Sequence, residues 1–109
     1  MKYITVTITT PNKKITNKII KVLLSQNLVS CVNVISSIKS VYWWKNKINK
    51  TDEYLLVCKA IKSNFKEIIK KVKENHPYEV PEIVCYDISD GEQIYLNWIS
   101  CYTKNATKK

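Results

Sequence analysis

Residues 30–48 read SCVNVISSIKSVYWWKNKI, and this stretch decides the fold. It is rich in β-branched and aromatic residues and alternates apolar with polar, the pattern of a single long strand. The apolar phase slips near Ser36 and Ser37, which predicts a bulge there. A polar turn is expected over residues 46–51 (NKINKT), and residues 52–61 (DEYLLVCKAI) return as the next strand of an antiparallel hairpin. About 18 residues at ~3.3 Å each would reach roughly 60 Å. A chain of this size has a radius of gyration near ~13 Å. The hairpin must therefore bend or project from the body.

Outward from the hairpin, residues 3–9 (YITVTIT) alternate as a first strand. Thr10-Pro11 reads as the start of a helix, Thr10 as N-cap and Pro11 at the first helical position. Ile15, Ile19, Ile20, Leu23 and Leu24 form its apolar stripe, and it ends near Asn27. After the hairpin, Ser63 is placed to cap a second helix with Phe65, Ile68, Ile69 and Val72 inward and Pro77 as its stop. Residues 82–89 (EIVCYDIS) form a fourth strand, Asp90-Gly91 a turn, and Ile94 to Tyr102 a short last helix. The tail from Lys104 to Lys109 is expected to fray. The order β-α-β-β-α-β plus a terminal helix is the α+β, ferredoxin-like pattern: one antiparallel sheet with two helices on one face. A single domain over residues 1–109 accounts for the whole length.

Composition narrows the function. Formal charge is +9, from 18 basic and 9 acidic residues, yet every basic residue is Lys. Bidentate recognition of phosphate or guanine favours Arg, so no specific nucleic-acid role is expected. Cys31, Cys58, Cys85 and Cys101 form no C-x-x-C pair, and three of them lie in apolar strand-like runs where a thiol behaves as a small hydrophobe. No apolar run approaches the ~20 residues of a membrane helix. Met1-Lys2 leads directly into a strand without a secretory leader, so a cytoplasmic location is expected. One Gly and the lack of a nucleophile–base pair or an H-E-x-x-H segment argue against an enzyme.

The tip of the hairpin carries Tyr42, Trp43 and Trp44 in succession. Adjacent strand residues face opposite ways, so both faces of the arm are aromatic, and one of them calls for a partner. The sheet face without helices needs cover as well, which a symmetric homo-oligomer supplies.

His76-Pro77-Tyr78-Glu79-Val80-Pro81-Glu82 joins the second helix to the last strand. Two prolines stiffen it. His76, the only histidine, is suited to metal ligation, proton transfer or hydrogen bonding, or simply to the helix C-terminus. Lys59 interrupts an apolar strand, where a charge needs a partner; Glu53 or Glu82 would serve for a salt bridge.

Together, Cys31-Val32-Asn33-Val34, Ser40 to Lys45 (SVYWWK), Glu53, Lys59, His76 to Glu82 and Tyr95-Leu96-Asn97-Trp98-Ile99 resemble the CutA family of divalent-cation tolerance proteins over nearly the whole chain. The resemblance implies a ferredoxin-like fold, a homotrimer and a part in handling copper or another divalent cation. It implies Cys31 and His76 as metal ligands, and Glu79 or Glu82 of the same loop as His76 would support them. The family is also similar to PII signalling trimers, which implies an alternative: a small anion or metabolite bound in inter-subunit clefts lined by Trp44, Lys59, Tyr78, Glu82 and Trp98. Three positions depart from the family pattern. Ile8-Thr9-Thr10 carries no thiol before the first helix, Asn75 stands where some members have a second histidine, and Lys45-Asn46 replaces a Lys-Gly turn.

Overall fold

The computed structural model describes residues 1–105. Its elements are β1 (Tyr3–Thr10), α1 (Lys13–Ser25), β2 (Cys31–Trp44), β3 (Lys47–Ile61), a 3-10 turn (Lys62–Asn64), α2 (Phe65–Asn75), β4 (Ile83–Asp87) and α3 (Gln93–Cys101). The four strands form one sheet in the order β2-β3-β1-β4, with every neighbouring pair antiparallel. This is the expected α+β, ferredoxin-like arrangement.

Alternation in β1 sorts the two faces. Ile4, Val6 and Ile8 are fully buried, and their register partners Ala60, Cys58 and Leu56 share that face. Ile19 and Leu23 of α1 and Ile68 and Val72 of α2 complete the core against them. Each fully buried aliphatic side chain of this kind contributes about 1.5–3 kcal/mol of transfer free energy. The opposite face carries Thr5, Thr7, Val57, Ile35, Val84 and Tyr86 by register. Ile35, Val84 and Tyr86 there are exposed.

The long hairpin is present, with the bulge where the phase slips. Register jumps between Ile35 and Ile38, and Ser37 adopts φ 59°. The turn is tighter than expected. Lys45 and Asn46, at φ 51° and 64°, make a two-residue connection, and Lys47 already pairs with Trp44. Positive φ at both central residues gives the backbone twist that matches two antiparallel strands. The polar run 46–51 therefore belongs mostly to the strand. The arm stretches the molecule to 50 × 25 × 22 Å, with a radius of gyration of 14.5 Å.

Both expected helix caps are corrected. Thr10 remains in β1, fully buried and paired with Tyr54, and its hydroxyl meets that of Thr16. Asn12 caps α1 instead, its Oδ1 accepting from the Ile15 N–H at 2.9 Å. Ser63 lies within the 3-10 turn, and Asn64 holds the N-cap position of α2 without a capping bond. Its Nδ2 donates instead to the carbonyls of Leu28 (3.3 Å) and Lys104 (3.0 Å), tying three parts of the chain together. The tail expectation is corrected in part. The Lys104 N–H donates to the Asn27 carbonyl, its ammonium sits 2.8 Å from Glu67, and Asn105 donates to Asn64. Residues 106–109 lie outside the described residues. Among the described residues no helix is long and apolar enough to cross a membrane.

Candidate functional site

The residues singled out in the sequence gather at two separate ends of the sheet. At one end, the arm of the hairpin and the loop after α2 enclose a cleft of about 710 Å³. Trp44 and Tyr42 wall it on the arm side, and Tyr78, Glu79 and Glu82 on the loop side. Glu53 of β3 also lines it, only 5% exposed, and its Oε2 accepts from the Tyr78 hydroxyl at 2.9 Å. Burial, with the bond to Glu53 second, pushes the Tyr78 phenol from 10.0 up to about 12.

His76 fixes the loop that carries Tyr78. Its Nε2 donates to the Thr9 carbonyl of β1 at 2.7 Å, and its Nδ1 accepts from the Tyr78 N–H at 3.2 Å. A carbonyl can only accept, so these two bonds define the neutral ring with the proton on Nε2. Both nitrogens are then occupied, and the ring stacks at a tilt 4.7 Å from that of Tyr78. The carbonyls at the end of α2 receive a different donor, Asn75 Nδ2, which reaches the Lys71 carbonyl at 2.7 Å.

The other end of the sheet holds Cys31, Lys59 and Trp98. Cys31 and Lys59 are register partners, and Lys59 Nζ donates to Asn33 Oδ1 at 3.5 Å. It makes no salt bridge to Glu53 or Glu82. Glu53 lies six residues back along the same strand, ~20 Å away at strand spacing. Tyr95 of α3 brings its hydroxyl to 3.7 Å from Cys31 Sγ and stacks on Trp98 at 5.6 Å. Burial, then the contact with the Cys31 thiol, pushes the Tyr95 phenol up.

Cys31 and His76 do not meet within one chain. Cys31 lies in the row of Lys59 and Thr5, whereas His76 bonds to Thr9 in the row of Leu55. Four residues of strand separate those rows, ~13 Å before any lateral offset. Among the described residues no three His, Cys, Asp or Glu side chains converge as a metal site. The cleft set divides in the same way: Trp44, Tyr78 and Glu82 share the cleft, while Lys59 and Trp98 lie at the far end. Within one chain three carboxylates line this cleft and no Lys does. Glu53 was legible in the sequence as a possible partner for Lys59 and as one of the positions of the family resemblance, but not as a residue of the cleft. Its one distinguishing signal was a carboxylate ahead of the apolar run of β3.

Comparison with known proteins places the whole arrangement. The family described as CutA1 divalent ion tolerance protein matches residues 4–101. The chain is 37% identical to Protein CutA 1, chloroplastic, of Oryza sativa subsp. japonica over 97% of its own length, and spans 58% of that relative. It is 36% identical to the divalent-cation tolerance protein CutA of Thermus thermophilus, covering 86% of this chain and 91% of the relative. Superposition on the crystal structure of CutA1 from Oryza sativa gives a TM-score of 0.93 at 35% identity, with 96% of each chain covered. This chain belongs to the CutA1 divalent ion tolerance protein family.

Proposed function

We propose that this protein confers tolerance to divalent cations by binding the cation without catalysis, and that it does so as a cytoplasmic homotrimer. The observation that carries the reading is the family match over residues 4–101, joined to the same fold in the solved relatives. The names of those relatives favour this reading over a PII-like effector sensor.

The geometry supports assembly. Both faces of the arm tip are apolar and open: Val41, Trp43 and Ile48 on one side, Tyr42 and Trp44 on the other. Ile35, Val84 and Tyr86 leave the helix-free face of the sheet uncovered. Burying such surface against further copies offsets its exposure to water. Assembly is also the route by which the Cys31 end of one protomer can approach the Glu79 end of another.

Of the candidate ligands, Cys31 offers a soft sulfur suited to Cu(I) or Zn. Glu79 offers an exposed carboxylate. His76 can join them only by giving up the bond from the Tyr78 N–H to Nδ1. Calorimetric titration with copper and with zinc tests the set. Cys31→Ser and Glu79→Gln are expected to lose most of the binding heat. His76→Ala is expected to lose heat and also thermal stability, because it strands the Thr9 carbonyl. Unchanged titrations in all three variants would contradict the assignment.

A further inference from the structure

The positive charge of this chain is concentrated on its helix layer. Residues 13–25, the span of α1, carry four Lys and no acidic residue. Residues 62–75, the 3-10 turn and α2, carry five Lys and two Glu. The layer therefore holds +7 of the formal +9, while the sheet, arm and loops come close to balance. Each helix sets three exposed Lys at i, i+4 and i+7 along one side: Lys14, Lys18 and Lys21 on α1, and Lys66, Lys70 and Lys73 on α2. Seven residues of helix rise about 10 Å. The helices pack against each other, and such axes lie ~8–10 Å apart. One helix layer thus carries two short rows of ammonium groups.

This layer differs from an ordinary solvated face in two ways. Among the described residues none of these six Lys makes a salt bridge, because the two carboxylates of the layer are engaged elsewhere: Glu74 with Lys71, and Glu67 with Lys104. Like charges three and four residues apart also repel along each row. Lys13 and Lys14 add to this, since they stand in the first turn of α1, at the positive end of the helix dipole, with no acidic residue beside them. The rows are held against local electrostatics, and an anionic partner relieves the repulsion. None of the six belongs to the arm or to the helix-free sheet face, the surfaces assigned to assembly above.

We propose that the outer side of the helix layer binds the phosphate backbone of double-stranded nucleic acid without reading its bases. Lys is a point charge suited to phosphate, and a chain without Arg has no fork for bidentate recognition of guanine. A duplex presents one charge per ~1.7 Å of its axis, so each Lys that meets a phosphate releases condensed counterions. Single strands fit less well. They are held by stacking on aromatic side chains, and the one aromatic residue of the two helices, Phe65, packs against the core. An anionic membrane fits less well too, because Leu24 is the one large apolar side chain these helices expose. The metal ligands proposed above, Cys31, His76 and Glu79, take no part in this surface.

The test is the fluorescence anisotropy of a labelled DNA duplex of about two helical turns, titrated with the full chain. Saturable binding is expected at low salt, independent of base sequence, and weaker by about a thousandfold or more between about 50 and 200 mM salt. Lys14→Gln, Lys18→Gln and Lys70→Gln combined should flatten the slope of log affinity against log salt by about three. These sites are exposed and Gln forms helix nearly as well as Lys, so the fold is kept. Lys45→Gln, Lys47→Gln and Lys50→Gln combined remove the same charge from the exposed arm and should leave the slope unchanged. No saturable binding by the parent protein would overturn the proposal. So would an equal loss in the two triple variants, which marks a response to net charge alone. Tighter binding of a single strand, a preference for one duplex sequence, or displacement of the duplex by phosphatidylserine vesicles at matched charge would overturn it as well.

Discussion

Cys58 and Cys101 have the same chemistry in opposite settings. Cys58 points into the core between Val6 and Val32, and burial first, then the nearby Cys31 thiol, push it up to about 12. Cys101 lies exposed at the end of α3. Since the thiolate is the reactive form, mass-mapped alkylation near neutral pH is expected to label Cys101 first. Cys58 should react only on unfolding. Tyr78 yields a second prediction. Its folded pKa of about 12 lies above the ordinary 10.0, so the folded state binds the phenolic proton more tightly. The resulting stability is fully present below about pH 10 and is lost as pH rises toward 12. Tyr78→Phe should remove this alkaline loss, measured as the pH dependence of the urea midpoint, and should delete one late phenolate transition in an absorbance titration. At this scale the sequence was partly legible. His76, Tyr78 and Glu82 stood out because their loop is stiff and chemically dense. The bond from Tyr78 to the buried Glu53 did not, because it arises only once β3 and the loop are side by side.

Among the elements, the β2–β3 hairpin was the most legible and its turn the least. Alternation identifies strands and a phase slip identifies a bulge, and both appear where expected. Residue pattern alone misplaced the turn, because Lys45-Asn46 lacks the Asn-Gly or Asp-Gly signature of a two-residue connection, whereas the family resemblance pointed to Lys45-Asn46. Lys45 therefore pays for a left-handed backbone at φ 51°, a conformation better tolerated by Asn. Lys45→Asn is expected to stabilise the chain by up to about 1 kcal/mol, read as an upward shift of the urea midpoint with an unchanged slope. The helix starts misled for a related reason. Thr10 and Ser63 are good caps by type, but Thr10 is held in the sheet by its pairing with Tyr54, and Ser63 is enclosed in a 3-10 turn. Tertiary pairing overrides local preference at both sites.

At the scale of the whole molecule, charge and shape separate two kinds of site. Cys31, Lys59, Tyr95 and Trp98 occupy one end of the sheet, and Glu53, His76, Tyr78 and Glu82 occupy the other. Sequence order hides this division, because a strand carries its two ends to opposite sides of the fold. The separation is why a single chain cannot unite the thiol and the cleft, and why assembly is central to the proposed function. The arm that spans the 50 Å axis and the uncovered sheet face are the surfaces that assembly would bury. Sedimentation equilibrium or light scattering at micromolar concentration tests this most directly. The account predicts a mass about three times that of the 12.7 kDa chain, and a single species at 12.7 kDa would contradict it.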